Sequence, residues 1–185
     1  GMLLGRRMGK PVMTSFANAD DLAWNLTISG APGIHTVWGY AEPRKSALNE
    51  ADPEVALLLA HWRRRRELYT DTRSIARTAV WRNYQSLAYD SFGSHLSACV
   101  IEHVLARWGV PFTIVTDRLL AGDTLREFDL LIVPNMAFVS DAEVEALTSF
   151  ANAGGGLLMT EQTAAFDGEQ RRRSRDPFEA LLAGE

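Results

Sequence analysis

Polar residues that could take part in chemistry stand at the ends of three predicted strands. Arg82 and Asn83 end the stretch "ARTAVWRN", Asn135 ends "DLLIVPN", and Thr160 and Glu161 end "GLLMTE". If these strands are parallel, their carboxyl ends meet at one edge of the sheet, which is where open α/β folds bind ligands. The sequence therefore predicts a polar crevice built from these five residues.

His95 is a sixth candidate for this crevice, because it lies near the start of a helix predicted to follow the first of these strands. A threonine nucleophile such as Thr160 needs an adjacent base, and no histidine lies close to it in the sequence. Two interpretations stay open. The crevice is the site of a small-molecule or carbohydrate-binding module or of a weak hydrolase, or it is a vestige of the fold.

Strands and helices alternate with short connections from residue 76 onward, and a long helix follows the first strand. Its sequence is "SHLSACVIEHVLARWG", with Ser94 as the expected N-cap and Gly109 as the terminating glycine. Leu96, Val100 and Val104 recur every four residues, a spacing that predicts the buried apolar face of this helix.

The segment "SDAEVEALTSFANAGG" predicts another helix, in which Ser140 and Glu143 form a capping box and Val144, Leu147 and Phe150 form the buried stripe. The predicted strands "PFTIVTD", "DLLIVPN" and "GLLMTE" alternate with these helices. This alternation predicts an α/β fold with a doubly wound parallel sheet and right-handed crossovers.

Residues 1–75 have a different organisation, so we divide the chain into residues 1–75 and 76–185. The stretches "KPVMTSFA" and "GIHTVWGY" read as strands around a helix, and a longer helix begins at Pro53. The apolar face of that longer helix is predicted to consist of Val55, Leu58, Leu59 and Trp62.

Composition narrows the class of protein. The 185 residues carry a formal net charge of −4 with a pI near 5.6, which argues against a nucleic-acid partner. No apolar run is long enough to span a membrane. The single Cys99 excludes an intramolecular disulfide and a multi-cysteine metal site. We expect a cytoplasmic protein with no metal and no cofactor.

Two segments of the chain resemble consecutive parts of one protein family. "SGAPGIHTVWGY", with Gly30, Ala31, Gly33 and Trp38, is similar to the last strand of the (β/α)8 barrel in β-galactosidase-type (family 42) glycoside hydrolases. The chain from residue 78 resembles the β-galactosidase trimerisation domain, a flavodoxin-like sheet related to class I glutamine amidotransferases. The motifs "DLLIVPN", "SDAEVEALTSFANAGGGLLMTE" and "RRR…DPFEALLAG" carry this resemblance. It implies a partial (β/α) barrel end followed by a flavodoxin-like domain.

The resemblance also implies the positions of catalytic residues, and this sequence has no suitable residue at those positions. The glycosidase nucleophile would be a glutamate ending the penultimate barrel strand, where "PVMTSFAN" offers Ser15, Phe16 and Asn18 but no carboxylate. Trp38 and Tyr40 would stack on a sugar only in a complete barrel.

The amidotransferase relationship implies a cysteine on the elbow after the last strand and a histidine later in the chain. The elbow here reads "MTEQ", without cysteine, and no histidine follows His103. The resemblance thus predicts a non-catalytic accessory and oligomerisation domain that forms a dimer or trimer through residues 1–75. The expected excess apolar surface consists of Ile34, Val37, Trp38, Leu57, Leu58 and Trp62.

Overall fold

A computed structural model describes residues 14–16, 18–31, 33–35, 53–70, 74–120 and 122–183. The chain divides into two compact units, Gly1–Ser74 and Ile75–Glu185. Each has its own apolar core: one core contains buried residues between Phe16 and Val55, and the other contains buried residues between Ala79 and Phe178. The two units are therefore described separately.

The described residues of the first unit form two short parallel strands and two helices. The predicted strands are seen over two residues each, and the predicted long helix begins at Pro53 as expected. Leu58, Leu59 and Trp62 pack on the buried core, as predicted for the apolar face of the longer helix. Of the residues expected to be excess apolar surface, Leu57 is exposed, whereas Leu58 and Trp62 are half-buried against this core. In chain order the elements are β1 (Ser15–Phe16), α1 (Ala19–Ser29), β2 (Ile34–His35), α2 (Pro53–Arg64) and a 3-10 turn (Arg66–Tyr69).

The second unit is built on a four-stranded sheet whose strands are all parallel, in the order β4-β3-β5-β6. The predicted α/β fold with a doubly wound parallel sheet is confirmed. The chain leaves the central strand β3 toward one neighbour, β4, and later returns to form the other neighbour, β5. The strands are β3 (Thr78–Arg82), β4 (Phe112–Thr116), β5 (Leu130–Pro134) and β6 (Gly156–Thr160).

Helices and turns connect these strands. The capping box predicted at Ser140 and Glu143 is present, and Leu147 and Phe150 are buried as predicted. The helices of the second unit are α3 (Tyr84–Tyr89), α4 (Ser91–Arg107), α5 (Asp117–Leu120), α6 (Asp141–Asn152) and α7 (Glu179–Leu182), and a 3-10 turn spans Gly122–Glu127.

Helix α4 departs from the prediction at its start and on its apolar face. It begins at Ser91 with Asp90 as its N-cap, and the Ser94 hydroxyl instead donates to the carbonyl of Asn135 at 2.7 Å. Ser94 and Ala98 are fully buried, whereas the predicted buried residues Leu96, Val100 and Val104 are exposed. Ser94 and Ala98 occupy part of the inward face, and Leu96, Val100 and Val104 project away from the core.

Among the residues that the structure describes, none of the helices combines the length and apolar character needed to cross a bilayer. Within the same ranges, no group of three or more histidine, cysteine, aspartate or glutamate side chains is arranged to hold a metal ion.

Candidate functional site

The residues predicted to form a crevice lie around the carboxyl edge of the sheet, where β3 and β5 are neighbours and their crossovers diverge. This is the topological switch point, the usual ligand position in doubly wound folds. Hydrogen bonds divide the six predicted residues into three groups. Asn135 is bonded to Thr160, and Glu161 follows Thr160 in the adjoining elbow. Asn83 is bonded to acidic side chains, and Arg82 is bonded to His95.

Asn135 links the ends of β5 and β6. It is buried, and its φ of 51° places it in the left-handed region, which asparagine tolerates better than most residues. Its backbone N–H donates to the Thr160 hydroxyl at 3.1 Å, and its side-chain oxygen accepts from the Gln162 N–H at 3.2 Å. Ser94 donates to its carbonyl, as described above. Asn135 therefore holds two strand ends and the start of α4 together.

Glu161 occupies the elbow after β6 and also has a positive φ, of 51°. Its side chain is exposed, and its carboxylate accepts from the Ser97 hydroxyl on α4 at 3.3 Å. Thr163 closes the same turn, because its hydroxyl donates to the Thr160 carbonyl at 2.8 Å. The elbow thus retains a sharp strand-to-turn geometry and presents a carboxylate there.

Asn83 is fully buried and caps α3, where its side-chain oxygen accepts from the Ser86 N–H at 2.7 Å. Its side-chain nitrogen donates to Asp117 at 3.2 Å and to Glu143 at 2.9 Å. Trp81 also donates to Asp117, at 3.1 Å. Every polar atom of the Asn83 side chain therefore has a partner inside the fold.

Asp117 and Glu143 were not predicted as part of this site. Burial raises the pKa of Glu143, the two hydrogen bonds from Ser140 oppose that rise, and the nearby charge of Asp117 adds to it. The only sequence signal was the capping box that Glu143 forms with Ser140. That signal is local, and it carries no information about a partner 60 residues away at Asn83.

Arg82 and His95 meet on the face of α4 that is directed at β3. Arg82 forms a largely buried salt bridge to Glu102 at 2.8 Å, and another guanidinium nitrogen lies 2.9 Å from His95 Nδ1. Burial lowers the pKa of Arg82, but the hydrogen bond and charge of Glu102 outweigh burial, so the net pKa is raised. His95 is thereby engaged by Arg82.

Cys99 belongs to the same group as Arg82 and His95. It is half-buried, with its sulfur 3.5 Å from His95 Nε2 and 3.7 Å from an Arg82 nitrogen. Because a guanidinium only donates, His95 Nδ1 accepts, and a neutral imidazole then carries its proton on Nε2, facing the sulfur. His95 is therefore oriented toward Arg82 and Cys99, and a Thr160–His95 nucleophile–base pair is not formed.

In the first unit, the side chains expected near a barrel site are described only in part. Asn18 caps α1 by accepting from the Asp21 N–H at 2.8 Å, and Asp20 and Asp21 follow in the first turn. Trp38 and Tyr40, the predicted sugar-stacking residues, lie outside the described residues, as does Val37.

A cavity of about 820 Å³ lies between α6 and the 3-10 turn before β5, and none of the six predicted site residues lines it. Its wall contains Arg126, Asp129 and Glu145 beside apolar groups, and Asp129 is engaged in a salt bridge with Arg77. It is separate from the crevice at the carboxyl edge.

Part of the second unit matches a protein-family model. Residues 104–181 match the family model of the beta-galactosidase trimerisation domain. The resemblance inferred from the sequence motifs is thereby confirmed for this part of the chain. A search of curated proteins gave no match.

Solved structures with the same fold are beta-galactosidases. The enzyme from Bacillus circulans sp. alkalophilus aligns with 97% of this chain and 32% of its own, at 13% identity and a TM-score of 0.69. The enzyme from Rahnella sp. R3 aligns with 94% of this chain and 29% of its own, at 18% identity and a TM-score of 0.63. The enzyme from Bifidobacterium adolescentis aligns with 58% of this chain and 53% of its own, at 19% identity and a TM-score of 0.51. The chain thus spans only a part of these structures, and the likeness establishes its fold.

Proposed function

We propose that this chain is a non-catalytic accessory domain that assembles copies of a β-galactosidase-like protein. The observation that carries the proposal is the match of residues 104–181 to the trimerisation domain of that family. Self-association into a dimer or trimer is the function that this match supports, and carbohydrate handling belongs to the protein that the domain assembles.

The hydrogen bonds at the carboxyl edge support a structural role for that edge. The Thr160 hydroxyl accepts from a backbone N–H, Asn83 has all its polar atoms paired, and His95 is engaged by Arg82. A nucleophile needs a general base within hydrogen-bond reach, and Thr160 lacks its one predicted partner. These contacts favour a crevice that is retained because it joins strand ends.

Ligand binding at the crevice is the second candidate, and its observation is the exposed carboxylate of Glu161 on a strained elbow. Such backbone strain is concentrated at functional sites in many proteins. The double variant Thr160→Ala/Glu161→Ala separates the two candidates. Under the proposed function, the double variant has the same subunit number as the parent, and neither chain binds any member of a panel of simple sugars.

The mass of the chain in solution tests the proposed function directly. We expect light scattering at micromolar concentrations to give two or three times the 20.5 kDa chain mass. A well-folded monomer at every concentration up to about a millimolar, the weak limit of specific association, would overturn it.

A further inference from the structure

The outward side of α4 carries a row of large apolar side chains that no other described element of the second unit covers. Phe92, Leu96, Val100, Val104 and Trp108, here named the α4 ridge, are between 44% and 82% exposed. They recur every four residues and span about 24 Å at 1.5 Å per residue. Each step of four residues turns about 40° around the helix, so the row winds around α4, and its central members Leu96, Val100 and Val104 share one side. Single exposed apolar residues are ordinary, but a contiguous set of this size marks an interaction surface.

We propose that the α4 ridge is the surface through which one copy of this chain packs against a second copy. The inference rests on the proposed function, because self-association is what requires such a surface. It differs from the sequence prediction, which placed the contact in residues 1–75.

The geometry of the ridge suits a helix of the same kind. Residues four apart form a continuous row inclined to the helix axis, and two such rows interdigitate when helices cross at about −50°, the commonest packing in globular proteins. Val100, at the centre, is short, so two helix axes can approach closely there. Phe92 and Trp108 flank it, and large aromatic residues are typical anchors of protein interfaces.

The area and charge of the face fit a partner of the same chain. From the usual sizes of these side chains, the ridge offers roughly 600 Å² of exposed apolar surface. Because the row winds around α4, one partner helix contacts its central part, and that part supplies the apolar core of an interface whose standard size is about 800 Å² on each partner. The exposed polar neighbours on the outward side are His103 and Arg107, because Glu102 is largely buried in its bond to Arg82 and His95 is turned toward Arg82 on the side facing β3. An apolar row with little charge of its own favours an equally apolar partner.

The location of the ridge connects it to the assembly family. Its carboxyl half, Val104 and Trp108, lies within the residues that match the trimerisation domain. The other exposed large apolar residues of the second unit, such as Ile75, Tyr84 and Leu182, are spread over different elements and do not extend the four-residue spacing. The ridge is therefore the surface of this unit best suited to self-association.

The test compares Val100→Glu with Leu57→Glu in the full chain, by light scattering over a dilution series. Both residues are exposed aliphatic residues on helices, so Leu57 on α2 is a matched control. We expect Val100→Glu to weaken association at least about tenfold, as truncation of a central interface residue does, and Leu57→Glu to leave the mass unchanged. A second variant, Val100→Thr, keeps the shape of the side chain and should also weaken association. It guards against misfolding as the cause, and far-UV circular dichroism checks that each variant is folded.

Each other outcome has a definite meaning. If the parent assembles and both Val100 variants keep its mass, the ridge is not the interface, while the proposed function stands. If only Leu57→Glu dissociates the assembly, the contact lies in the first unit and the inference is overturned. If the parent itself is a monomer, the proposed function fails together with the inference.

Discussion

Gly155, between α6 and β6, is a residue whose lack of a side chain is required by packing. A Cβ added there would lie 2.3 Å from the Phe150 ring, which belongs to the core of the second unit. We expect Gly155→Ala to lower the free energy of unfolding by about 1–3 kcal/mol, the usual cost of overpacking. Urea unfolding followed by fluorescence measures it.

The neighbouring Gly154 supplies the control for this prediction. Its φ is +94°, and an added Cβ would meet open space, so Gly154→Ala costs only backbone strain. Replacing Phe150 with leucine makes room for the first substitution and not for the second. We therefore expect Gly155→Ala to cost less free energy of unfolding in the Phe150→Leu background than in the parent. If Phe150→Leu reduced the cost of both glycine substitutions equally, the packing explanation would be contradicted.

Glu143 gives a prediction about pH. Burial raises its pKa in the folded chain above the ordinary value of 4.5, so the folded state holds this proton at pH values where the unfolded state has released it. Wherever the folded state binds more protons, the free energy of unfolding falls as pH rises. The contribution of Glu143 is thus complete below pH 4.5 and is lost progressively above it.

The variant Glu143→Gln isolates this effect because glutamine does not titrate. We expect the free energy of unfolding of the parent, minus that of the variant, to decrease between pH 4 and pH 7. Urea unfolding at several pH values measures the difference. A difference that grows with pH would mean that the hydrogen bonds from Ser140 and Asn83 dominate over burial.

At the scale of elements, α6 shows what local sequence can predict. Its capping box needs only a serine and a glutamate three residues apart, and both reciprocal bonds are present. We expect Ser140→Ala to destabilise the chain by about 1 kcal/mol, the typical cost of a lost N-cap. Ser149→Ala, an exposed serine on the same helix, is the matched control in thermal unfolding and should change stability little. Equal effects would show that the cap contributes nothing.

Helix α4 shows where prediction from sequence stops. The four-residue spacing of Leu96, Val100 and Val104 correctly placed these residues on one side of a helix, but it could not tell whether that side is covered. The side that packs on the sheet is instead lined by Ser94 and Ala98, whose small size allows close approach. Apolar periodicity indicates a surface that avoids water, and a partner chain can provide cover as well as a sheet can.

The candidate site was predictable in its position and not in its contacts. Parallel strands necessarily bring their carboxyl ends to one edge, so Asn135 and Thr160 were placed together correctly. The pairing of Asn83 with Asp117 and Glu143 depends on contacts between residues 34 and 60 positions apart, which no local pattern encodes. His95 was expected to serve the crevice, and its bond to Arg82 depends on the rotation of α4.

For the molecule as a whole, the division into two units has a consequence for assembly. Each apolar core lies within one unit, and the second core contains the sheet and is flanked by α4 and α6. A unit with its own core meets the main requirement for independent folding. The match to the trimerisation domain and the α4 ridge both lie in this second unit.

We therefore expect residues 75–185, expressed alone, to unfold cooperatively and to keep the subunit number of the full chain. Cooperative loss of far-UV circular dichroism on heating checks the first statement, and light scattering on both chains checks the second. A folded but monomeric fragment beside an assembled full chain would locate the contact in residues 1–74, as the sequence had suggested. If both chains have the same subunit number and Val100→Glu dissociates both assemblies, the contact lies on α4. The two chains share the α4 ridge and differ only in the first unit, so the first unit is then not needed for assembly.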